Sequence, residues 1–400
     1  MIRGDFRIAA GYLTYFATVG IIQPYLPLEL AALGYSAAAI GVLLALWNGA
    51  RIAGPLAAAW LADRQPDRRR LLAPLALASA LFTALLAAVT RAPAVALVLV
   101  LQSFCFNGLI PVYDAHAIER LGATAHRYGW FRLWGSIGFV LAATLAGYLT
   151  EEFGTVAIRA ALVAFAGATA LAFIGLPGAA HAPQAATGPP EFVAALREPH
   201  LQRFLLVCFL HLAGFGGYYS FYTLYLLRAG YGTATVGLLW ASAVVAEIAL
   251  FAVGPRLLAR YPLSQLLRVA LASTVLRWVL VAAYPQVPML QFGAQLLHLA
   301  GFGLFHSVTV LLGPALLPGG AQARAQALVS SLGWGAGGMA GSLMAGFLWD
   351  RVGPRAVFIG SALVAAGAWM LALRAVHGPA GPDRGSFGPR RYAPGGTSGK

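Results

Sequence analysis

The stretch LGYSAAAIGVLLALWNGARIAGPLAAAWLADRQPDRRR, residues 33–70, decides the fold. It runs through a long apolar segment and ends in a loop crowded with charges. The apolar part is long enough to cross about 30 Å of hydrocarbon, for which a helix needs roughly 20 residues. One charged residue, Arg51, interrupts it near its middle. An ion at that depth is costly and is typical of a functional site within a membrane.

The whole chain has the composition of a polytopic membrane protein. Its 400 residues are 60% hydrophobic and 10% charged, whereas soluble proteins carry about 25% charged residues. Apolar runs of membrane-spanning length occur about twelve times, in two sets of six. Helices are expected, because lipid offers backbone groups no partners and the runs lack the two-residue alternation of a barrel. The predicted spans lie near residues 8–30, 38–61, 71–90, 94–117, 128–150, 156–176, 203–227, 234–256, 264–284, 288–313, 326–349 and 354–376.

The arginines predict the orientation of the chain in its membrane. They supply nearly all of the net charge of +14 and are concentrated in loops on one side. By the positive-inside rule we expect both termini in the cytoplasm and the chain in a bacterial inner membrane. The basic charge therefore indicates topology and contact with anionic lipid rather than a nucleic-acid partner. The arginines of that side include Arg64, Arg68, Arg69, Arg70, Arg120, Arg127, Arg197, Arg203, Arg256, Arg260, Arg268 and Arg324.

Composition also predicts four regions. Residues 1–176 and 201–376 should each form a bundle of six helices. Residues 177–200, which include Pro183, Pro189 and Pro190, are predicted to form a cytoplasmic linker that could include a short amphipathic helix from Glu191. Residues 377–400, rich in Gly, Pro and Arg, should be disordered.

The two halves are related in sequence. LGYSAAAIG (residues 33–41) resembles AGYGTATVG (residues 229–237), and the two segments lie 196 positions apart (229 − 33). When this register is continued without a gap, Arg51 aligns with Glu247.

A second match lies near the end of each half. GYLTEEFG from Gly147 resembles GFLWDRVG from Gly346, at a separation of 199 (346 − 147). The chain therefore resembles a duplicated six-helix unit, an architecture that places a substrate site between the halves near mid-membrane.

Motifs of soluble enzymes and pumps are not found. Cys105 and Cys208 stand singly within predicted helices and form no metal or disulfide motif. Zinc spacings, a Walker loop and a nucleophile elbow are all missing from the sequence. We therefore expect no cofactor, no metal, no ATP-driven transport and no enzymatic activity.

The loop LADRQPDRRR from Leu61 resembles the signature loop of the major facilitator superfamily, in which an acid is followed by a base and further bases. Ala59 stands where that family usually has glycine, and Pro66 with Asp67 replaces the glycine before the basic run. The resemblance implies that Asp63 and Arg64 help to latch a cytoplasmic gate.

Several segments further resemble the phenylpropionate permease branch of that superfamily, near the lactose permease and nucleoside symporter groups. The likeness runs from about residue 11 to residue 374 and implies proton-coupled uptake of an aromatic carboxylate. Its segments are GYLTYFATVGIIQPY, ARIAGP, YGWFRLWGS, VVAEIALF and LRWVL.

Three charged residues fall near the middle of their predicted helices. Arg51 and Glu247 each lie about 18 Å from the end of their helix, and Arg277 is at a similar depth. A carboxylate in low dielectric can change its protonation as an arginine approaches or leaves. We expect Glu247 to carry a coupled proton and Arg51 or Arg277 to receive a substrate carboxylate, to which arginine is suited by its bidentate geometry. A structural ion pair between Glu247 and Arg277 is the alternative.

Polar and aromatic residues complete the set of candidates. In the resembled family helices one, four, seven and ten line the cavity, and His211 and His298 lie about 15 Å into theirs. Those expected at the substrate are Tyr15, Gln23, Asn107, His211, Tyr218, Tyr219 and His298. Those expected at the gates, or toward the cytoplasmic end, are Asp63, Arg64, Asp114, Arg132 and His306.

The sequence therefore predicts a twelve-helix secondary transporter that imports a small aromatic carboxylate with protons by alternating access. The expected partners are this substrate, protons and membrane lipid, and the chain is expected to act as a monomer. Proton-coupled efflux of a hydrophobic or cationic compound, uptake of a nucleoside or sugar, and a non-transporting receptor or scaffold remain alternatives.

Overall fold

The computed structural model describes residues 3–122, 127–178, 196–317 and 322–375. Most of the predicted linker and the whole predicted tail lie outside these ranges. Twelve helical segments occupy them, as the sequence predicts. The first six are α1 Arg3–Ala32, α2 Ala37–Ala62, α3 Arg69–Leu86, α4 Ala92–Leu121, α5 Tyr128–Phe153 and α6 Val156–Ile174.

The second half repeats this order, with two composite helices. Helix α10 contains a π-helical segment, Leu299–Leu304, between Pro288–Leu296 and Phe305–Ala315. Helix α11 consists of Gln322–Leu328, the π-helical segment Val329–Gly337 and Gly338–Arg351. The remaining helices are α7 Pro199–Arg228, α8 Thr233–Arg260, α9 Leu263–Ala283 and α12 Pro354–Ala375.

Ten of these segments are long and apolar enough to cross a membrane, all except α1 and α11. Helix α3 is shorter than predicted and ends at Leu86 instead of near residue 90. The chain turns at this point so that Pro93 enters the first turn of α4, a position where its missing N–H costs no hydrogen bond.

Equivalent glycine turns begin the second helix of each half. Gly34 and Gly230 have φ values of 87° and 95°, a conformation that glycine adopts without steric cost. Tyr35 N–H donates to Leu30 O at 3.3 Å, which closes α1 in the manner of a Schellman motif. The sequence repeat is thus also a structural repeat. We call the end of the molecule that carries these turns the far face, and the end that carries residues 63–68 the linker face.

Small residues let the two halves approach closely. Helix α2 packs antiparallel against α11, and α5 packs against α8. A methyl group on Gly41 would lie 2.7 Å from the carbonyl oxygen of Ser342, and one on Gly237 would lie 2.5 Å from that of Ala143. These distances are too short for a Cβ, so glycine is required where the halves cross.

Hydrogen bonds between the halves, within the described ranges, run from the far face to the centre. They join Tyr25 to Thr233, Thr233 to Gly147, Ala234 to Glu151, Ala38 to Asp350 and Asn48 to Ser342. Access to the centre from the far face is therefore closed in this conformation.

Within the N-terminal half, Gly54 sets the distance between α2 and α4. A Cβ at this position would collide with Phe104 O, whereas a Cβ on Gly167 of α6 would meet nothing within 4 Å. We predict that Gly54→Ala destabilises the protein by roughly 1–3 kcal/mol through overpacking, while Gly167→Ala leaves stability unchanged or slightly higher. Thermal unfolding of the purified variants in detergent measures the difference, and equal melting temperatures would contradict it.

Candidate functional site

A narrow cavity lies between the halves, lined by α1, α2, α7 and α11. Its volume is about 30 Å³ over the positions that the centre of a water molecule can occupy, which is room for about two water molecules. The halves are therefore nearly closed around it. Three residues of its wall are candidates from the sequence, namely Gln23, Arg51 and Tyr219. The wall also includes Trp47, Asn48, Ser220 and Trp334.

Arg51 is held between two tryptophans from opposite halves. Its guanidinium carbon lies 5.4 Å from the ring centre of Trp47 and 5.1 Å from that of Trp334, both within the range of a cation–π interaction. Trp47 precedes Arg51 by one helical turn, and Trp334 comes from the π-helical segment of α11. Among the described residues, Arg51 forms no ion pair with a carboxylate. Its counter-charge is thus not supplied by the described part of the chain.

Two tyrosines predicted from the sequence lie beside this arginine. Tyr15 stacks on Phe106 with ring centres 4.4 Å apart and interacts electrostatically with Arg51. Tyr219 interacts electrostatically with Arg51 from one half and with Arg277 and Glu247 from the other. Tyr219 therefore stands where the charges of the two halves meet.

His298 links Glu247 to Arg277. Its Nε2 lies 3.9 Å from Glu247 Oε2, and its Nδ1 lies 2.8 Å from Arg277 Nη1. Because the guanidinium can only donate, Nδ1 must be the acceptor and the hydrogen of a neutral imidazole is on Nε2, facing Glu247. The direct ion pair between Glu247 and Arg277 is therefore not formed, and a histidine ring stands between the two charges.

Glycine in the π-helical segment of α10 makes room for Glu247. A Cβ on Gly303 would lie 3.1 Å from Glu247 Cγ. The side chain of Glu247 is 17% exposed. The Glu247 side chain is thus partly exposed while it approaches His298.

Arg277 is fixed by a chain of buried hydrogen bonds. It donates to Gln295 Oε1 at 2.8 Å, an oxygen that also accepts from Tyr218 at 3.0 Å. Gln295 in turn donates to Tyr222 at 2.6 Å, and the guanidinium lies 4.5 Å from the ring centre of Trp278. Arg277 is fully buried and is not part of the cavity wall. The network positions this cation without exposing it to the cavity.

Asp114 and Arg132 form a second polar group in the N-terminal half. Tyr12 donates to Asp114 Oδ1 at 2.6 Å, and the Arg132 guanidinium lies 4.0 Å from the ring centre of Phe16. Arg132 interacts electrostatically with Asp114 in its own half, and with Glu247 and His306 in the other. Arg132, which is expected at a gate, is thus electrostatically connected to Glu247.

The candidates His211 and Asn107 also lie outside the cavity wall. His211 bonds through Nε2 to Gly301 O at 2.9 Å and stacks on Phe305 at 3.9 Å. Asn107 donates to the backbone and side chain of Ser103, one turn earlier in α4. Both are buried and are used in packing in this conformation.

Among the described residues, Asp63 and Arg64 contact only their own half. Arg64 donates to Trp60 O at 2.8 Å and covers the Trp60 ring at 3.5 Å. Asp63 lies 3.6 Å from Arg68, which also pairs with Glu119 at 3.1 Å. These contacts organise the linker-face loop, and the latch role of Asp63 and Arg64 stays a prediction.

Sequence reasoning missed several residues of the site. Trp47 carried a usable signal, because it lies one helical turn from Arg51. Trp334 lies in GWGAGGMAG, a glycine-rich stretch that is typical of close helix packing and gives no sign of a binding residue. Asn48 and Ser220 carried no signal of their own, because their place in the wall depends on how the two halves meet.

The chain is similar to known membrane transporters. Residues 6–360 match the MFS_1 like family. The chain is 32% identical over 371 residues to the protein named probable 3-phenylpropionic acid transporter of Escherichia coli (strain K12), covering 91% of this chain and 96% of that protein. It is 29% identical over 269 residues to the maltose permease of Geobacillus stearothermophilus, covering 65% of this chain and 66% of the permease.

Solved structures share the fold at low sequence identity. The nucleoside transporter NupG superposes with a TM-score of 0.80 at 18% identity, covering 94% of this chain and 100% of NupG. The POT family transporter PepTSo superposes with a TM-score of 0.74 at 12% identity, covering 93% and 97%. At these identities the likeness extends to the fold alone.

The ion pair between Asp67 and Arg69 in the linker-face loop should make the stability of the protein depend on pH. Asp67 pairs with Arg69 at 2.6 Å, and this hydrogen bond holds the pKa of Asp67 below its usual value. The ion pair stabilises the folded protein fully at pH values above the pKa of Asp in the unfolded chain, which is about 3.9. This stabilisation is lost as the pH falls through the lower pKa that Asp67 has in the folded protein. We predict that the melting temperature of Asp67→Asn falls below that of the wild type near pH 6, and that the difference shrinks as the pH falls below the unfolded pKa of about 3.9. A difference that stays constant from pH 7 to pH 3 would exclude this origin.

Proposed function

The chain belongs to the MFS_1 like family of membrane transporters, and on that premise we propose that it imports a small aromatic carboxylate together with protons. The observation that carries this proposal is Arg51, a cation without an acidic partner among the described residues. It lies in the wall of a cavity between the halves. A substrate carboxylate would provide the missing counter-charge in bidentate geometry.

The surroundings of Arg51 favour an aromatic anion. Trp47, Tyr219 and Trp334 contribute rings to the cavity wall, and such rings pack well against another ring in offset or edge-to-face geometry. Gln23 and Asn48 add polar atoms to the same wall. The relative in Escherichia coli is named as a transporter of 3-phenylpropionic acid, a molecule with one ring and one carboxyl group.

The charge balance of the centre also favours an anion. Its described residues include three arginines, Arg51, Arg132 and Arg277, and two carboxylates, Asp114 and Glu247. With all five ionised the region carries one net positive charge, and charge in low dielectric is costly unless it is neutralised. A bound monoanion restores neutrality while Glu247 remains ionised.

Proton coupling is assigned to Glu247. This carboxylate faces the Nε2 atom of His298, and His298 accepts from the fixed Arg277. Arg132 acts on Glu247 electrostatically from the other half, so movement of the halves changes the charge that Glu247 experiences. In the proposed cycle Glu247 binds a proton when Arg132 withdraws and releases it when Arg132 returns. Arg51 receives the substrate.

Orientation follows from the arginine-rich loops. With the linker face in the cytoplasm of a bacterium, the closed far face corresponds to the periplasmic side of the inner membrane. The conformation described is then one in which the centre is closed to the periplasm. The chain is proposed to complete this cycle as a monomer in contact with lipid.

Removal of the Arg51 charge tests the substrate class. In proteoliposomes under an inward proton gradient, wild-type protein should accumulate radiolabelled 3-phenylpropionate. Arg51→Ala should lower uptake at least about tenfold, because a hydrogen bond to a charged group contributes roughly 1.5–3 kcal/mol. Arg51→Lys should be intermediate, since lysine lacks the bidentate fork.

The matched control is Arg91→Ala, an exposed arginine at the far end of α4, which should retain uptake. Unimpaired transport by Arg51→Ala would contradict the assignment of Arg51. Absence of uptake by the wild type would instead reject this substrate class and direct the assay to nucleosides, sugars and exported cations.

Neutralisation of Glu247 tests the coupling. Glu247→Gln keeps the shape of the side chain but cannot cycle a proton, so it should abolish uphill accumulation while sparing exchange of internal for external substrate. Accumulation assays and counterflow assays on the same proteoliposomes separate the two activities. Gradient-driven accumulation equal to that of the wild type would refute the role of Glu247.

A further inference from the structure

Two carboxylates at the far face reach across to helices of the opposite half. Asp350, near the end of α11, accepts a hydrogen bond of 2.8 Å from the backbone N–H of Ala38 in α2. Glu151, near the end of α5, accepts one of 2.8 Å from the backbone N–H of Ala234 in α8. Each donor is the second residue of its helix.

The two contacts are related by the internal repeat. Ala38 and Ala234 lie 196 positions apart (234 − 38), which is the register of the first matching segments. Glu151 and Asp350 lie 199 positions apart (350 − 151), which is the register of the second. The same interaction is therefore built twice, once by each half toward the other.

Physical chemistry makes these contacts favourable. The first N–H groups of a helix have no acceptor within the helix and carry partial positive charge. In α2, Ser36 Oγ accepts from Ala39 N–H at 3.2 Å, which leaves the N–H of Ala38 for Asp350. In α8 the N-cap is Gly232, which has no side chain to act as an acceptor. The carboxylate of the other half fills this role in both helices.

Both contacts join the two halves and both lie at the face that is closed. Close packing accompanies them, since Thr233 donates to Gly147 O at 2.8 Å beside the Glu151 contact, and Gly346 approaches Gly41 beside the Asp350 contact. If the far face opened, both carboxylates would separate from their helices and be solvated. These hydrogen bonds belong to the closed state.

We propose that Glu151 and Asp350 form a symmetric pair of latches that hold the far face closed and set the ratio of its open and closed states. The latches act through backbone donors, so they need no second charged side chain. This proposal concerns the gate alone and goes beyond the proposed function, because it holds for any substrate.

Distance measurements between spin labels test the latches without substrate. Labels on cysteines at Ala88 and Gln286, exposed far-face positions in opposite halves, would be introduced after replacement of Cys105 and Cys208 by alanine. Glu151→Ala or Asp350→Ala should raise the open-to-closed ratio by about tenfold, as expected for loss of one hydrogen bond to a charged acceptor. The double variant should raise it by about a hundredfold, because the two sites are separate.

Two further sets of variants keep the test decisive. Glu152→Ala removes the adjacent exposed carboxylate, for which no contact with the other half occurs in the described ranges, and should leave the distances unchanged. Glu151→Gln and Asp350→Asn keep an acceptor but lose the charge, and should give a smaller shift in the same direction. Unchanged distances in the folded double variant, or an equal shift in Glu152→Ala, would overturn the latch.

Discussion

The close crossing of α2 with α11 and of α5 with α8 is the constraint on which the rest of the structure depends. Glycine at positions 41 and 237 allows backbones to touch where any side chain would collide. This contact closes the far face and brings Trp334 and Tyr219 of the second half against Arg51 of the first. The site thus exists because two helix pairs lack side chains at their crossings. Small residues at such crossings are a general means of packing helices in lipid, where burial of apolar surface provides no driving force.

The buried arginines are stabilised in two different ways, and the difference indicates their roles. Arg277 donates to Gln295 and His298 within a continuous network, so its charge is distributed over fixed dipoles. The Arg51 guanidinium contacts the rings of Trp47 and Trp334, and no hydrogen bond or ion pair of its side chain occurs in the described structure. A cation–π contact is worth about 0.5–2 kcal/mol, less than the cost of removing a charge from water. An added anion would therefore stabilise Arg51 more than Arg277, whose hydrogen bonds already hold it in place.

The sequence predicted the helices, the repeat and the residues of greatest interest, because each of these depends on local properties. Span length and hydropathy identify a membrane helix regardless of its neighbours, and Arg51 and Glu247 stand out against apolar surroundings. The partners of these charges could not be predicted in the same way. His298 was expected at the substrate, but its place between Glu247 and Arg277 depends on how α8, α9 and α10 pack. The π-helical segments at Gly303 and Trp334 were also missed, since their glycines are equally compatible with a regular helix.

The molecule combines a symmetric gate with an asymmetric centre, and the duplicated sequence accounts for both. At the far face the two halves contribute equal contacts, with Glu151 and Asp350 on equivalent helix starts. At the centre, equivalent positions carry opposite charges, Arg51 and Glu247. Equal latches suit a movement in which each half rocks against the other about a common axis. Opposite charges suit the proposed cargo of one anion and one proton, since a second arginine at position 247 would have no proton to exchange at neutral pH. The symmetric contacts at the far face therefore suit the rocking of the two halves. The unequal residues at positions 51 and 247 suit the proposed binding of an anion and a proton.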